Sequence, residues 1–215
     1  VLREKLSLVS KADKKIALVP TMGNLHEGHL SLVKLAQSLA DYVVVSIFVN
    51  PTQFVAGEDF ENYPRTLEAD LEYLKHLNVD LVFIPDMAEV YPGDVQITTE
   101  VVVPELDSIY CGEYRPGHFK GVATVVCKLF NIVQPEIAVF GEKDYQQLLV
   151  IRSLVKNLNL PIDIYGAATM RETDGLAMSS RNMYLNETER QKAPVLYKAL
   201  MAVAKSIKRG ESNYQ

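Results

Sequence analysis

Short apolar runs alternate with segments of helical periodicity along this chain, and that alternation restricts the fold more than any other feature. The apolar runs have the length and composition of buried strands, at 15–19, 42–49, 79–84, 97–103, 137–140 and 162–166. Apolar residues at helical spacing predict helices over 29–40, 66–77, 122–133 and 146–158. Pro20 is expected to end the first strand. Strands separated by single helices form right-handed βαβ units, so the sequence predicts an α/β fold with a doubly wound parallel sheet.

The character of the sequence changes after Gly166, where the sheet is expected to end. Residues 170–182 are polar and rich in turn-forming residues, and a helical pattern follows them. We therefore predict two units: a Rossmann-like domain over 1–169 and the beginning of a smaller C-terminal lid domain over 170–215.

The C-terminal helix has boundary signals at both ends. Asn186, with a glutamate three positions later, is an N-cap pattern, and Gly210 is a stop signal after about Arg209. The apolar face of this helix has little sequence after it that could cover it. Since the chain also begins with Val1 rather than Met, we expect a fragment whose lid is incomplete.

The composition limits which kinds of molecule this chain can be expected to bind. The chain of 215 residues has 22 Lys and Arg against 27 Asp and Glu, a net charge of −5, so a general nucleic-acid binder is a poor fit. A local site can still hold one anion. Cys111 and Cys127 make neither a disulfide scaffold nor a four-cysteine zinc module. With no apolar run near the roughly 20 residues that cross a bilayer, and no signal-peptide stretch, we expect a soluble, reduced, cytoplasmic protein.

The segment PTMGNLHEGH at 20–29 has the outline of a phosphate site. Glycines let the backbone approach a ligand closely, and a helix start presents free N–H groups and a positive dipole end to an anion. His26 and His29 add donors that become stronger when they are protonated. The pattern alone leaves zinc ligation and two unrelated surface histidines open. Zinc needs three or four protein ligands, and the remaining histidines and cysteines have no metal-type spacing.

Six sequence blocks follow one another along nearly the whole chain. They are PTMGNLHEGH at 20–29, FVNPTQF at 48–54, YPRT at 63–66, RPGHF at 115–119, FGEKDYQQ at 140–147 and DGLAMSSRN at 174–182. Together they resemble the pantothenate synthetase family, of the wider HIGH-motif nucleotidyltransferase group. The resemblance implies a ligase that joins pantoate to β-alanine. ATP first adenylates the pantoate carboxylate and releases pyrophosphate; β-alanine then attacks the pantoyl adenylate and releases AMP.

The resemblance also implies roles for single residues. His26 and His29 would face the ATP phosphates, with His29 as proton donor, while Lys143 and Arg181 would add phosphate contacts. These four are the predicted catalytic residues and would form a local cationic pocket. Attack of a carboxylate on an α-phosphate builds up negative charge, which cationic donors stabilise most in the transition state. The predicted ATP-binding set is Met22, Gly23, Asn24, Leu25, His26, Glu27, Gly28, His29, Gly141, Glu142, Lys143, Asp144, Met170, Met178, Ser179, Ser180 and Arg181.

Pantoate is a small dihydroxy acid, so its pocket is expected to use neutral amides. By resemblance Gln53 and Gln147 fill this role, and Asn50 lies on the same loop as Gln53. Mg²⁺ is expected with ATP, held mainly by phosphates and water, with Asp144 as a partner for the ribose or for magnesium-bound water. Asp70 is the candidate protein carboxylate near the metal, and an exposed helix acid is the alternative. The family also implies a homodimer.

Three alternatives stay open at this point. A nucleotidylyltransferase would leave AMP on its product instead of releasing it. A nucleotide-binding fragment without turnover would follow from an incomplete lid, because water would reach the acyl adenylate. A zinc protein is the third.

Overall fold

Five parallel strands form one sheet, in the order β3-β2-β1-β4-β5. The computed structural model describes residues 2–93, 95 and 98–211. The strands are β1 Ile16–Thr21, β2 Tyr42–Ile47, β3 Leu81–Phe83, β4 Ile137–Gly141 and β5 Asp163–Ala167. The helices are α1 Leu2–Lys11, α2 Glu27–Leu39, α3 Leu67–His76, α4 Met87–Val90, α5 Cys111–Tyr114, α6 His118–Val133, α7 Tyr145–Asn157, α8 Glu187–Lys192 and α9 Val195–Lys208. The predicted α/β fold with a doubly wound parallel sheet is confirmed.

The central strand β1 is buried on both faces, as expected of a strand covered by helices on each side. Ile16 and Leu18 belong to a core that contains the buried side chains of α6 and α7. Ala17 and Val19 belong to a second core, which contains Val33 of α2. Because successive side chains of a strand point to opposite faces, the two cores lie on opposite sides of the sheet.

The first strand continues through Pro20, where its end was predicted. Pro20 is in parallel register with Ser46 of β2, whereas the ladder between β1 and β4 covers Ala17 and Leu18. At Pro20 the strand therefore has a ladder partner on one side only. That is a position where a residue without an amide hydrogen is tolerated.

The strand predicted over 97–103 is wrong for the described part of that range. Residues 98–103 form no strand, and Ile97 lies outside the described residues. The Val101 N–H donates instead to Oγ1 of Thr124 on α6, at 2.9 Å, and Val103 is buried in the core that contains α6. This apolar run packs on a helix and does not pair with a strand.

The C-terminal helix predicted up to about Arg209 is divided into two. Asn186 caps α8 with the expected capping box, but α8 ends at Lys192 and Pro194 is the N-cap of α9. Proline removes an amide donor and clashes with the preceding turn, which explains the break. The predicted stop at Gly210 is confirmed by its φ of 79°. The apolar side chains of α9 are largely exposed, with Leu196 68% accessible.

Three helices were not predicted: α1 and the short α4 and α5. α1 is held by Leu6, which is buried in the core that contains α6. None of the helices in the described ranges is long and apolar enough to cross a membrane.

The strand order identifies where a ligand is expected. The chain builds β1, β2 and β3 towards one edge and then returns to place β4 and β5 on the other side of β1. In sheets of this kind ligands bind beyond the carboxyl ends of the strands at such a reversal. The ends of β1 and β4 therefore point to the functional site.

Candidate active site

Three adjoining cavities open beyond the carboxyl ends of β1, β4 and β5. We call the first the His pocket, because it is lined by His26 and His29 together with Lys143. The amide pocket is lined by Asn50, Gln53 and Gln147, and the arginine pocket by Arg115 and Arg181. Asp144 and Gln147 line all three. Because they share these lining residues, the three cavities adjoin one another, and we call them together the cleft.

The start of α2 fixes both imidazoles by an unusual capping box. His26 is the N-cap, and its Nδ1 accepts a hydrogen bond of 3.1 Å from the Gly28 N–H. Nδ1 of His29 accepts in turn from the His26 N–H, at 3.4 Å. Since a backbone N–H can only donate, both Nδ1 atoms are unprotonated acceptors, and each neutral ring carries its hydrogen on Nε2. The two rings lie with centroids 4.1 Å apart.

Gly28 is required by this packing. A Cβ at position 28 would lie 2.8 Å from Cε1 of His26, well inside contact distance. A side chain there would displace the ring that caps the helix.

Both histidines are neutral at neutral pH, which corrects the expectation of protonated imidazoles. Burial lowers the pKa of His29 to about 3, with smaller contributions from His26 in its protonated form and from the charge of Lys143. Burial and the charge of Lys143 also lower the pKa of His26, against a smaller opposite effect of Glu172. The rings therefore act as neutral Nε2–H donors, and Lys143 supplies the positive charge of the His pocket.

Lys143 lies where β4 passes into α7, in a 3₁₀ turn Glu142–Asp144. Its Nζ is 3.3 Å from Oδ2 of Asp144, and its side chain is 38% exposed. It lines both the His pocket and the arginine pocket. A flexible ammonium between the two cavities can contact one extended anion that occupies both.

The prediction of Asp70 as a metal-facing carboxylate is not supported, and the alternative of an exposed helix acid is wrong. Asp70 is 1% exposed. Its carboxylate accepts hydrogen bonds from the N–H groups of Asn24 and Leu25, at 2.9 and 2.8 Å, and from Oγ1 of Thr66. These donors occupy both oxygens, so Asp70 holds the segment before α2 in place. In the described ranges, no group of three or more His, Cys, Asp or Glu residues could hold a metal ion.

In the amide pocket Asn50 is a positioning group. It is 1% exposed, and its Nδ2 donates to Oε1 of Gln53, at 3.1 Å, and to the carbonyl oxygen of Gly121. Its Oδ1 accepts from the Tyr91 hydroxyl at 2.8 Å. Both ends of the Asn50 amide are occupied. Nε2 of Gln53 donates one hydrogen bond to Sδ of Met22, at 3.2 Å, and its second N–H is the donor that can contact a ligand.

Arg181 lies in the arginine pocket and not among the histidines. Its guanidinium donates to both oxygens of Asp59, at 2.9 and 2.7 Å, and lies over the ring of Tyr63. Arg115 is held in the same way by Glu58, with one bond of 2.7 Å. Glu58 and Asp59 belong to one segment, residues 55–62, which we call the acidic loop. Of the four residues predicted to form one cationic pocket, His26, His29 and Lys143 line the His pocket, and Arg181 does not. Lys143 also lines the arginine pocket, where Arg181 lies.

The other predicted ATP-binding residues divide into two groups. Some line the cleft: Met22, Gly28, Gly141, Asp144, Met170 and Met178. Others lie on the surrounding segments without lining these three cavities: Gly23, Asn24, Leu25, Glu27, Glu142, Ser179 and Ser180. Among the second group, Ser180 donates from Oγ to the carbonyl oxygen of Asn24, at 3.0 Å, and so joins the C-terminal segment to the start of α2.

The acidic loop was not predicted from the sequence, and His118 had no predicted role. The pairs Arg115–Glu58 and Arg181–Asp59 are separated by 57 and 122 positions, so no local spacing reveals them. The available signal was the RPGHF block at 115–119, which contains both Arg115 and His118.

Known proteins share this architecture over most of their length. A family model described as pantoate-β-alanine ligase matches residues 1–215. A pantothenate synthetase of Azotobacter vinelandii is 55% identical over 215 residues, 99% of this chain and 76% of that protein. One of Vibrio cholerae is 55% identical over 214 residues, 100% of this chain and 73% of that protein.

Solved structures agree with the sequence relatives. Pantothenate synthetase from Thermus thermophilus superposes with a TM-score of 0.88 at 50% identity, over 95% of this chain and 75% of that chain. Pantoate-β-alanine ligase from Francisella tularensis, complexed with β,γ-ATP and β-alanine, gives a TM-score of 0.85 at 41% identity, over 93% of this chain and 77% of that chain.

Proposed function

This chain belongs to the family of pantoate–β-alanine ligases, which condense pantoate with β-alanine at the expense of ATP, and we propose how its three cavities divide the reaction. The observation that carries the proposal is this set of adjoining cavities, in which neutral histidine donors, one lysine and a pair of amides lie around shared lining residues. In the first step the pantoate carboxylate forms an O–P bond to the α-phosphorus of ATP, and pyrophosphate leaves. In the second, the amine of β-alanine forms the amide bond, and AMP leaves.

The His pocket is the proposed site of the nucleotide and of its α-phosphate. The N-terminus of α2 presents its positive dipole end there. His26 and His29 donate hydrogen bonds from Nε2 to the phosphate oxygens, and Lys143 balances the charge. Because its ring is neutral, His29 keeps its hydrogen and acts as a hydrogen-bond donor, not as the proton donor that the resemblance implied. Donors fixed before the reaction cost no reorganisation, so they stabilise the transition state more than they would in water.

Arg181 is proposed to hold the β,γ-phosphates in the arginine pocket. Lys143 lines both cavities, which supports a polyphosphate that passes from one to the other. Because Arg181 is paired with Asp59, the phosphates must take over the guanidinium from that carboxylate. Ser179 and Ser180 are proposed to support this end of the nucleotide from the C-terminal segment.

The amide pocket is the proposed pantoate site. Gln53 and Gln147 contact the hydroxyl and carboxylate groups, while Asn50 orients Gln53. His29 lines the amide pocket as well as the His pocket, so a carboxylate bound among the amides lies beside the histidine donors. This adjacency supports direct attack on the α-phosphorus.

Mg²⁺ is proposed to enter with ATP, held by phosphate oxygens and water. Of the acids considered, Asp144 fits better than Asp70, since it lines all three cavities and its side chain is 62% exposed. The ion supplies charge neutralisation along the polyphosphate.

The deciding experiment is exchange of labelled pyrophosphate into ATP in the presence of pantoate and the absence of β-alanine. We expect pantoate-dependent exchange, because the first step is reversible on the enzyme. Absence of exchange in the folded protein would refute the proposal. Stoichiometric release of AMP when β-alanine is added distinguishes the ligase from a nucleotidylyltransferase, which keeps AMP on its product.

We propose three further features. The two-unit organisation, 1–169 and 170–215, is supported by the sheet, which ends at Ala167. A homodimer is supported by the family resemblance, and light scattering in solution tests it. A cytoplasmic location suits an enzyme that consumes ATP, and cell fractionation tests it.

A further inference from the structure

A chain of polar side chains runs from the acidic loop to the amide pocket, and the function proposed above gives it no role. Glu58 accepts two hydrogen bonds from the Arg115 guanidinium. Nη1 of Arg115 lies 2.9 Å from Nε2 of His118, and Nδ1 of His118 lies 2.7 Å from the carbonyl oxygen of Gln53. The chain therefore ends on the backbone of a residue that lines the amide pocket.

The two partners of His118 fix where its proton lies. A guanidinium N–H can only donate, so Nε2 accepts from Arg115, and a carbonyl oxygen can only accept, so Nδ1–H donates to Gln53. The residue is 8% exposed. Burial lowers the pKa of His118 more than its hydrogen bond to Gln53 raises it, so the ring is neutral at neutral pH. Arg115 and Glu58 thus select one tautomer of His118.

This bond acts on the orientation of Gln53. Gln53 closes the 3₁₀ turn Pro51–Gln53, and Asn50 occupies its Oε1, which leaves Nε2 beside Met22 in the pocket. Asn50 sets which end of the amide faces the cavity, and His118 holds the main chain from which that amide extends. Without the second restraint, the turn could rotate and carry Nε2 away.

We propose that His118 is a positioning residue for pantoate: its Nδ1–H holds the Gln53 carbonyl so that the Gln53 amide faces the substrate. The proposal rests on the pantoate-binding role of Gln53. It assigns His118 no contact with reacting atoms. His118 also lines the arginine pocket, so a direct role at the nucleotide is the competing explanation. The positioning role predicts an effect on pantoate affinity and not on the nucleotide or on the chemical step.

Three substitutions separate the two nitrogens of the ring. His118→Asn keeps a donor near the place of Nδ1, His118→Gln keeps a polar atom near the place of Nε2, and His118→Phe keeps a ring without either. We expect the KM for pantoate to rise roughly 10-fold in the Phe and Gln variants and to stay within about threefold in the Asn variant. The KM for ATP and kcat should change little in all three, as expected when uniform binding is lost.

Two reference variants keep the result interpretable. Gln53→Ala should raise the KM for pantoate, and His76→Asn, at an exposed histidine of α3, should leave all constants unchanged. Thermal unfolding of each variant measures any loss of folded protein.

The outcomes distinguish the positioning role of His118 from the pantoate-binding role of Gln53. If Gln53→Ala raises the KM for pantoate while the Phe and Gln variants at 118 match the parent chain, the positioning role is overturned and the role of Gln53 stands. An Asn variant as impaired as the Phe variant, or a parallel rise in the KM for ATP, also overturns it. If Gln53→Ala has no effect, the pantoate-binding role of Gln53 fails, and the inference fails with it.

Discussion

The His pocket and the arginine pocket offer nitrogen donors to the same cleft, but they hold them in opposite ways. In the first, backbone amides orient the imidazoles and burial keeps them neutral. In the second, Arg181 keeps its charge and is fixed by Asp59 in an ion pair that is partly exposed to solvent. Neutral donors fixed by the backbone are ready before a ligand arrives, whereas paired cations must exchange one anion for another. Preorganisation is therefore expected in the His pocket and exchange in the arginine pocket.

The largest expected effect is at His29. Replacement by leucine removes the Nε2–H donor, and we expect pantoate-dependent pyrophosphate exchange to fall by roughly 10²–10³-fold. His76→Leu, on the exposed face of α3, is the control. If the exchange rate falls less than threefold in His29→Leu, preorganised neutral donors do not account for the rate of the first step.

The next effect tests what holds the segment before α2. In Asp70→Asn the new NH₂ group must face one of the two backbone N–H groups that donate to the carboxylate, and two donors cannot form a hydrogen bond with each other. We therefore expect the free energy of unfolding to fall by about 2 kcal/mol. The Mg²⁺ concentration for half-maximal activity should not change. Glu72→Gln, at an exposed position of the same helix, is the control. Unchanged stability with a large shift in the Mg²⁺ requirement would restore Asp70 as a metal-facing residue.

The sequence predicts more of the His pocket than of the arginine pocket, because the first depends on neighbouring residues and the second on contacts between distant ones. Alternating runs and local blocks predicted the sheet and the segment 20–29, because backbone pairing and helix starts depend on neighbouring residues. The burial of Asp70 was not predictable, since its partners Asn24 and Leu25 lie 46 and 45 positions away. The charge state of His29 was missed because burial, a tertiary property, sets its pKa. The ion pairs of the acidic loop were not predictable either, because their partners lie 57 and 122 positions apart in the sequence.

A smaller effect concerns pH. The folded-state pKa of His29, about 3, lies below the ordinary value of 6.5, so between these values the unfolded chain binds a proton that the folded chain does not. The stability contributed by the neutral ring is present above about pH 6.5 and is lost as the pH falls. Between pH 7 and 5.5, we expect the free energy of unfolding to fall by roughly 1 kcal/mol more in the parent chain than in His29→Leu. Equal slopes in denaturant titrations would contradict the depressed pKa.

The smallest effect is expected in the arginine pocket. Asp59→Asn weakens the hold on Arg181, so we expect ATP to bind about threefold more tightly at low salt, with the gain lost at high salt. Asp174→Asn disrupts the separate exposed pair with Arg190 and serves as the control. Weaker or unchanged binding of ATP to the Asp59 variant, measured by calorimetry, would show that Arg181 does not exchange its partner.

The protonation state of His26 and His29 decides whether the His pocket works through neutral donors, and nitrogen NMR of the ¹⁵N-histidine-labelled protein at pH 7 measures that state. His26→Asn and His29→Asn variants assign the signals. We expect both rings to be neutral, with the hydrogen on Nε2 and an unprotonated Nδ1. An imidazolium signal from either ring, or a hydrogen on Nδ1, would contradict it.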